Sequence, residues 1–364
     1  MTALVAHCEP VSGLEWTVLS GGRREVMTAL GAEHSGAIAA WRGTDAWREL
    51  VGRAESSRRR PFDAVVASTR RLLPVESAEL GWLAEGAGIP EAELWALNLR
   101  GDLGRDGTGC SDLCTAGGSG LLMGHNEDGD GGLAGLVRLV TLRIDGDPSM
   151  TVVWYPGMLP ANSFVTTSAG LTFGMDHVPV HRADTAAAGR HLVARHAQRQ
   201  ADGARARAVL RHIPCAGGFA FDVADGPGRR GDIIENAAGR VSSATAGTAT
   251  AAAPSGEPLR HTNHLRLIGA RRAGARDGVV VDDRWTGESR TRLAALETAS
   301  PRLEAPGDVL AALRSDGVLN REPDLYTFTS TVVDPASDRI LVQGAGEPWR
   351  GVLSSFAAGE RMSA

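Results

Sequence analysis

Residues 109–130 read GCSDLCTAGGSGLLMGHNEDGD, and the fold turns on this stretch. Up to residue 100 the chain has helical texture. Between Arg23 and Trp41, Val26, Leu30, His34 and Ile38 recur at helical spacing, which predicts one helix there. A second helical pattern covers 62–85 and a short third one 90–100. The glycine-rich, polar GDLGRDGTG at 101–109 then reads as an exposed or strained loop.

After Cys110 the texture changes to short strands with turns between them: LLMGHNED, VRLVTLRI at 137–144 and SMTVVWYP at 149–156. Gly146-Asp147-Pro148 is a plausible hairpin tip, and 163–175 continue the strand pattern with glycine kinks. Residues 183–213 turn helical, FAFDVAD and DIIENAAGRVSSAT return to strand, and 244–260 read as an irregular loop. Helices are predicted over 264–274, 287–299 and 306–315, and two last strands, YTFTSTVVD and RILVQGAG, close the chain. Strands, then helices, then strands again imply sheets sandwiched between helical layers in one domain, 1–364.

Composition excludes several classes. The 364 residues are 43% hydrophobic, enough for a full core, and the net charge of −5 points to neither a nucleic-acid nor an anionic-membrane partner. The start, MTALVAHCEPVSGLEW, lacks the basic and apolar regions of a secretory signal. No apolar run reaches the roughly 18 residues of a membrane span. The four scattered cysteines, Cys8, Cys110, Cys114 and Cys215, suit reduced thiols in a cytoplasm better than a disulfide framework. No zinc pattern of four ligands can be assembled from them, and no cofactor is expected.

The chemistry centres on Gly109-Cys110. An internal cysteine is a modest nucleophile, with a thiol pKa near about 8.5. At a new N-terminus the same residue has its own α-amino group as a base beside the sulfur. Gly109 tolerates strained angles and lets the thiol approach its carbonyl, so that an N-to-S acyl shift and hydrolysis would release Cys110. Downstream, Asn126 and Asp128 would bring an amide and a carboxylate to the sulfur. The same loop begins like an EF-hand, but its twelfth position is Val137 where glutamate is required. In His261-Thr262-Asn263-His264, Asn263 is a suitable oxyanion donor and Thr262 a cap for a helix starting near His264. His261 and His264, three apart, could instead share a metal. Cys114 reads as a spectator.

Together these motifs resemble the acyl-coenzyme A:6-aminopenicillanic acid acyltransferase family of autoproteolytic N-terminal nucleophile (Ntn) hydrolases, the C45 peptidase group. REVMTALGAEHSGAI resembles its amino-terminal portion, and Gly109-Cys110 sits at its self-cleavage position. GHNEDGD matches its Gly-x-Asn-x-Asp strand, and HTNHL its His-x-Asn-His signature. YPGMLPANSFVTTSAGLTFGMDHV resembles its glycine-dotted hairpins. The run Ser289–Arg292 and TSTVVDPASDRILVQGAGEP resemble its closing helix and hairpin.

The resemblance implies an α+β fold, the four-layer αββα Ntn sandwich, split into fragments 1–109 and 110–364 that stay together as a heterodimer. It implies Cys110, Asp128 and Asn263 as catalytic residues, with Asn126, His261 and Ser330 in support. The family's Ser-Arg pair near the last strands finds no arginine in Tyr326–Ser330, where Ser330 is a partial substitute. The implied activity breaks or transfers an acyl group of a small amide or acyl donor, such as an acyl-coenzyme A, with an amine as acceptor. Two alternatives stand beside it: a metal-dependent hydrolase using His261 and His264, and a non-catalytic binding member of the fold.

Overall fold

The computed structural model describes residues 2–56, 59–104, 109–117, 120–161, 163–248, 256–268, 281, 283–301 and 303–364. It begins with a hairpin that sequence texture did not reveal. Strands β1 (Leu4–Val11) and β2 (Leu14–Gly21) meet at Ser12 and Gly13, both at positive φ, as a tight hairpin turn requires. Most of β1 is exposed on both faces, so it lacks the alternation that marks a half-buried strand.

Six helices follow: α1 (Arg23–Glu33), α2 (Ser35–Arg42), α3 (Asp45–Glu55), α4 (Arg59–Leu72), α5 (Pro74–Ala87) and α6 (Glu91–Asn98). The single helix expected over Arg23–Trp41 is broken at His34, whose ring packs on Trp154. The pattern over 62–85 is likewise two helices. Pro74 pushes Leu73 out of helical geometry (φ −134°, ψ 63°) and starts α5. Helices α1 and α5 cross in close contact through glycines: a Cβ on Gly86 would lie 1.9 Å from the Thr28 carbonyl oxygen.

Beyond Cys110 come β3 (Ser111–Gly117), β4 (Gly120–Gly129), β5 (Arg138–Ile144), β6 (Met150–Trp154), β7 (Val165–Thr167) and β8 (Leu171–His177). Helices α7 (Arg190–Gln198) and α8 (Gly203–His212) lead into β9 (Gly218–Asp225), β10 (Arg230–Ala237), β11 (Arg240–Thr245) and β12 (Leu259–His261). Helices α9 (Arg284–Ala299) and α10 (Pro306–Leu313) precede β13 (Arg321–Glu322), β14 (Leu325–Asp334), β15 (Arg339–Gln343), β16 (Trp349–Val352) and α11 (Leu353–Ala358).

Four expectations are corrected here. Residues 264–268 form bends, not the start of a helix, and 269–274 lie outside the described residues. Thr262 therefore caps nothing; its hydroxyl donates to the Ser289 carbonyl on α9. The chain does not close on two strands, since β16 and α11 follow them. Within 183–213 only α7 and α8 are helical. Residues 105–108 of the glycine-rich loop and 249–255 of the Ala/Thr-rich one lie outside the described residues.

Among the described residues the strands form two sheets. One runs β1-β2-β5-β6-β7-β8-β9-β10-β11; the other runs β12-β3-β4-β14-β15-β16, with β13 added beside β14. Pairing is antiparallel except between β2 and β5. The sheets meet face to face where β3 and β4 pack on β8, β9 and β10. Helix α1 packs on β2 and β5, and α8 on β10, covering the first sheet; α10 lies on β4 and β14, and α9 on β12, covering the second. The order is αββα. One apolar core fills the space between the sheets and under α1 and α5, and a smaller one, with Leu113, Leu122, Leu296 and Val309, lies beneath α9 and α10. No described helix is long and apolar enough to cross a membrane.

Gly86→Ala is expected to destabilise the protein by about 1–3 kcal/mol, because the Thr28 backbone must retreat from the new methyl group. A lowered midpoint in urea unfolding, with an unchanged slope, is the measurement that checks it.

Candidate active site

Cys110 is the last residue before β3 and is buried, 2% exposed. Its backbone is held at both ends. Its N–H donates to Asn263 Oδ1 at 2.8 Å, just beyond β12. Its carbonyl oxygen accepts from Arg292 Nη1 on α9. The same guanidinium donates to Ser111 Oγ at 3.1 Å and, through Nη2, to Asn263 Oδ1 at 2.8 Å. Glu288, one turn back on α9, accepts from Arg292 Nε and Nη2 at 2.9 and 3.0 Å and fixes its direction. A Cβ on Gly109 would lie 2.8 Å from Leu325 Cδ1 and 3.1 Å from Arg292 Nη2, so a larger residue there would have to displace those side-chain ends.

Asn263 differs from expectation. Its Oδ1 receives two donors, which only the oxygen end of the amide can do. Its Nδ2 donates to the His177 carbonyl at 3.0 Å. It therefore presents an acceptor to the Cys110 nitrogen, not a donor to an oxyanion.

Strand β4 pairs antiparallel with β3, Ser111 opposite Asn126 and Asp112 opposite His125. Alternation then sends successive side chains to opposite faces. His125 and Glu127 point between the sheets, to the sulfur. Cys110 Sγ is directed at Glu127 Oε2 at 3.9 Å. His125 Nε2 donates to the same oxygen at 2.9 Å, and its Nδ1 to Asp112 Oδ1 at 2.7 Å. Tyr155 OH donates to Glu127 Oε1 at 2.5 Å, and Ser163 Oγ to Oε2. The dyad needs Gly174 beneath it on β8, where a Cβ would come 2.2 Å from Asp112 Oδ1.

Electrostatics follow the burial. The Cys110 thiol is pushed well up by desolvation and by Glu127, with His125 opposing. For His125, burial works against its charge, but Asp112 and Glu127 outweigh it and raise the imidazole well above its ordinary value. Asp112 is lifted to about 7 by burial and by Asp176.

The other face of β4 carries the residues that motif reading named. Asn126 Nδ2 donates to the Leu313 carbonyl at 2.7 Å, at the end of α10, away from the sulfur. Asp128 Oδ2 accepts from Asn320 at 2.6 Å and lies 3.9 Å from Arg292 Nη1, while its Oδ1 is buried without a hydrogen-bond partner among the described residues. Burial raises this carboxyl to about 7 against the pull of Arg292. Asp128 thus reaches Cys110 through one guanidinium. Ser330 stands opposite Asn126 on β14 and accepts from Arg314 at 3.3 Å. It does not take the place of an arginine beside Cys110; Arg292, from α9, supplies the charge there.

His261 belongs to a separate buried cluster, donating to Asp176 Oδ2 at 2.7 Å and Glu235 Oε1 at 3.1 Å. His264 hydrogen-bonds Ser289 Oγ at 2.9 Å. The two histidines do not share a ligand set. Among the described residues the group of three able to hold a metal ion is Cys110, His125 and Glu127, whose donor atoms lie within 4.8 Å of one another.

Sequence reading missed His125, Glu127, Asp112 and Arg292. The first two were within the quoted motif, and strand alternation applied to HNED would have placed them on the face opposite Asn126 and Asp128. Arg292 was within the quoted SRTR run, but nothing local tied that helix to Cys110.

The family model described as acyl-coenzyme A:6-aminopenicillanic acid acyl-transferase matches residues 115–332, more than half of the chain. Asp128, Asn263 and Arg292 fall inside the match, while Gly109 and Cys110 precede it. No curated protein matches the sequence. Among solved structures, a mutant of the conjugated bile acid hydrolase from Clostridium perfringens aligns with a TM-score of 0.37 at 8% identity, over 68% of this chain and 93% of that one.

The His261 cluster makes a pH prediction. Burial alone would lower this imidazole, but Asp176 and Glu235 hold it at about 9 against an ordinary 6.5. Its stabilisation is fully present below 6.5, where folded and unfolded chains both bind the proton, and is lost as pH rises through about 9. The denaturation midpoint should fall over that window. His261→Gln should flatten this slope and lower stability by about 3–5 kcal/mol, because Asp176 and Glu235 lose a buried partner.

Proposed function

We propose that this chain, which belongs to the acyl-coenzyme A:6-aminopenicillanic acid acyl-transferase family, cuts its own Gly109–Cys110 bond and then uses Cys110 as an N-terminal nucleophile. The coarse activity, an enzyme of the hydrolase or acyltransferase kind, follows from membership. The observation that carries the finer reading is that nitrogen, carbonyl oxygen and sulfur of Cys110 are each addressed by a different buried group: Asn263, Arg292 and Glu127.

Before cleavage the Cys110 nitrogen is an amide and cannot serve as the base. Glu127 Oε2 is the acceptor toward which the thiol points. It takes the proton, and the charged His125 beside it stabilises the thiolate. The sulfur adds to the Gly109 carbonyl carbon. The C–N bond breaks, and the Cys110 nitrogen leaves as an amine with the proton that Glu127 returns. Water then hydrolyses the Gly109 thioester, giving a carboxylate on residue 109 and the free thiol and α-amine on residue 110.

In the mature enzyme that amine, with an ordinary pKa of about 7.7–8.0, becomes the base beside the sulfur. Arg292 and Asn263 retain the new terminus. Asp128, whose Oδ1 lacks a hydrogen-bond partner among the described residues, is the carboxylate that offsets the new ammonium. Cys110 then attacks the carbonyl of a small amide or acyl donor, such as an acyl-coenzyme A. A thioester forms and is resolved by water in hydrolysis or by an amine in acyl transfer. We assign oxyanion stabilisation to Asn263 Nδ2, which must first leave the His177 carbonyl. Asn126, His261 and Ser330 act only as supports of the surrounding strands. The fragments 1–109 and 110–364 remain one heterodimeric unit. The free thiols suit a cytoplasmic setting.

Intact mass is the test. The wild type should give pieces of 109 and 255 residues, the latter being 364 less 109, while Cys110→Ala stays whole. A whole wild-type chain overturns the reading.

Variants at Asn263 separate its two roles. Asn263→Asp keeps an acceptor for the Cys110 nitrogen and should still cleave itself. Its turnover of a small amide should drop by about 10²–10³-fold, because the oxyanion donor is gone. Equal turnover by Asn263→Asp and wild type would remove Asn263 from the oxyanion site. Added amine should divert product from free acid to a new amide if the enzyme is an acyltransferase; unchanged free acid marks a hydrolase.

A further inference from the structure

We propose that Cys110 Sγ, His125 Nε2 and Glu127 Oε2 together bind zinc, and that the bound ion masks the nucleophile and holds the enzyme inactive. The masking rests on the reading of Cys110 as nucleophile; the metal site itself does not.

The donor set is the first ground. A thiolate, an imidazole and a carboxylate suit zinc, whereas magnesium and calcium select oxygen alone. Spacing is the second. The His125 Nε2 to Glu127 Oε2 separation is 2.9 Å and the Cys110 Sγ to Glu127 Oε2 separation 3.9 Å. Zinc bonds of about 2.0–2.3 Å at tetrahedral angles give ligand–ligand edges of about 3.4–3.6 Å. These two distances bracket that range and the third edge, Cys110 Sγ to His125 Nε2, lies within 4.8 Å, so side-chain shifts of up to about an ångström bring the three donors to zinc bond lengths.

The third ground is the support behind each ligand. Asp112 Oδ1 accepts from His125 Nδ1 at 2.7 Å, the carboxylate–histidine arrangement that orients a metal-binding imidazole. Tyr155 and Ser163 both donate to Glu127, fixing its carboxylate. The sulfur is set by the backbone clamp on Cys110. The surroundings also favour added positive charge. Asp112 Oδ2, Asp176 Oδ1 and both oxygens of Asp222 are buried with no hydrogen-bond partner among the described residues, on strands that meet between the sheets.

Zinc displaces the proton of the Cys110 thiol and the Nε2 proton of His125, both released to solvent, and three protein ligands leave a fourth position to water. Because the sulfur that would attack the substrate is itself a ligand, the loaded site cannot acylate. All three side chains are at most 3% exposed, so the ion should leave slowly.

The test uses full-length protein stripped with a chelator, then dialysed against zinc or cobalt(II). Elemental analysis should find one zinc per chain. Cobalt should give a thiolate-to-metal charge-transfer band that is absent in Cys110→Ser and weakened in His125→Ala. His264→Ala and His212→Ala should keep both the metal and the band. Zinc should slow iodoacetamide labelling of Cys110, read by peptide mass, at least tenfold, and the chelator should restore it.

No retained zinc, or zinc lost in His264→Ala and kept in Cys110→Ser, overturns the site. The wild-type charge-transfer band decides ligation by sulfur even if the variants misfold. A metal-dependent gain of amide hydrolysis overturns the masking. If the wild-type chain never cleaves, the functional reading fails while metal content and labelling still judge the zinc site.

Discussion

The antiparallel pairing of β3 with β4 is the constraint on which the site depends. It sets Ser111 against Asn126 and Asp112 against His125, and from that register every neighbour of Cys110 follows. A shift of one residue would exchange the faces of the strand. His125 and Glu127 would turn under α10, and Asn126 and Asp128 would turn between the sheets. The register is secured because β4 is buried along nearly its whole length and is paired on its other edge by β14. A slip would cost both ladders at once.

Around that strand pair the protein keeps charge where burial opposes it. Arg292 is buried and charged because Glu288, Asn263 and the Cys110 carbonyl all accept from it. His125 is buried between two carboxylates, and so is His261. An isolated charge in such surroundings would be neutralised; each of these has a partner close enough to prevent it. The partners come from different layers, so the electrostatics of the site also tie α9 to the second sheet and the second sheet to the first.

The two faces of β4 divide the labour. Glu127 and His125, between the sheets, address the sulfur. Asp128, under α9, reaches the backbone of residue 110 only through Arg292. The cysteine sits where the faces meet, at the end of β3, so its side chain belongs to one environment and its main chain to the other. That separation lets one set of groups face the thiol while another holds the backbone of residue 110.

By itself the sequence determined the class and the order of the parts. Helical texture before residue 100, strand texture after 110 and the Gly109-Cys110 junction between them are local properties, set by spacing and by glycine, and they led to sheets sandwiched between helical layers; the αββα order came from the family resemblance. The Gly-x-Asn-x-Asp and His-x-Asn-His motifs led to β4 and to Asn263, which lie against Cys110, because a motif is contiguous in the chain. Only the tertiary structure decided which face each side chain takes and who meets whom across it. Arg292 lies 182 residues from Cys110, and no periodicity reports a contact of that range. The pleat that turns His125 and Glu127 toward the sulfur, and Asn126 away from it, follows from which side of β4 meets the other sheet. That is a property of packed layers, not of four consecutive letters.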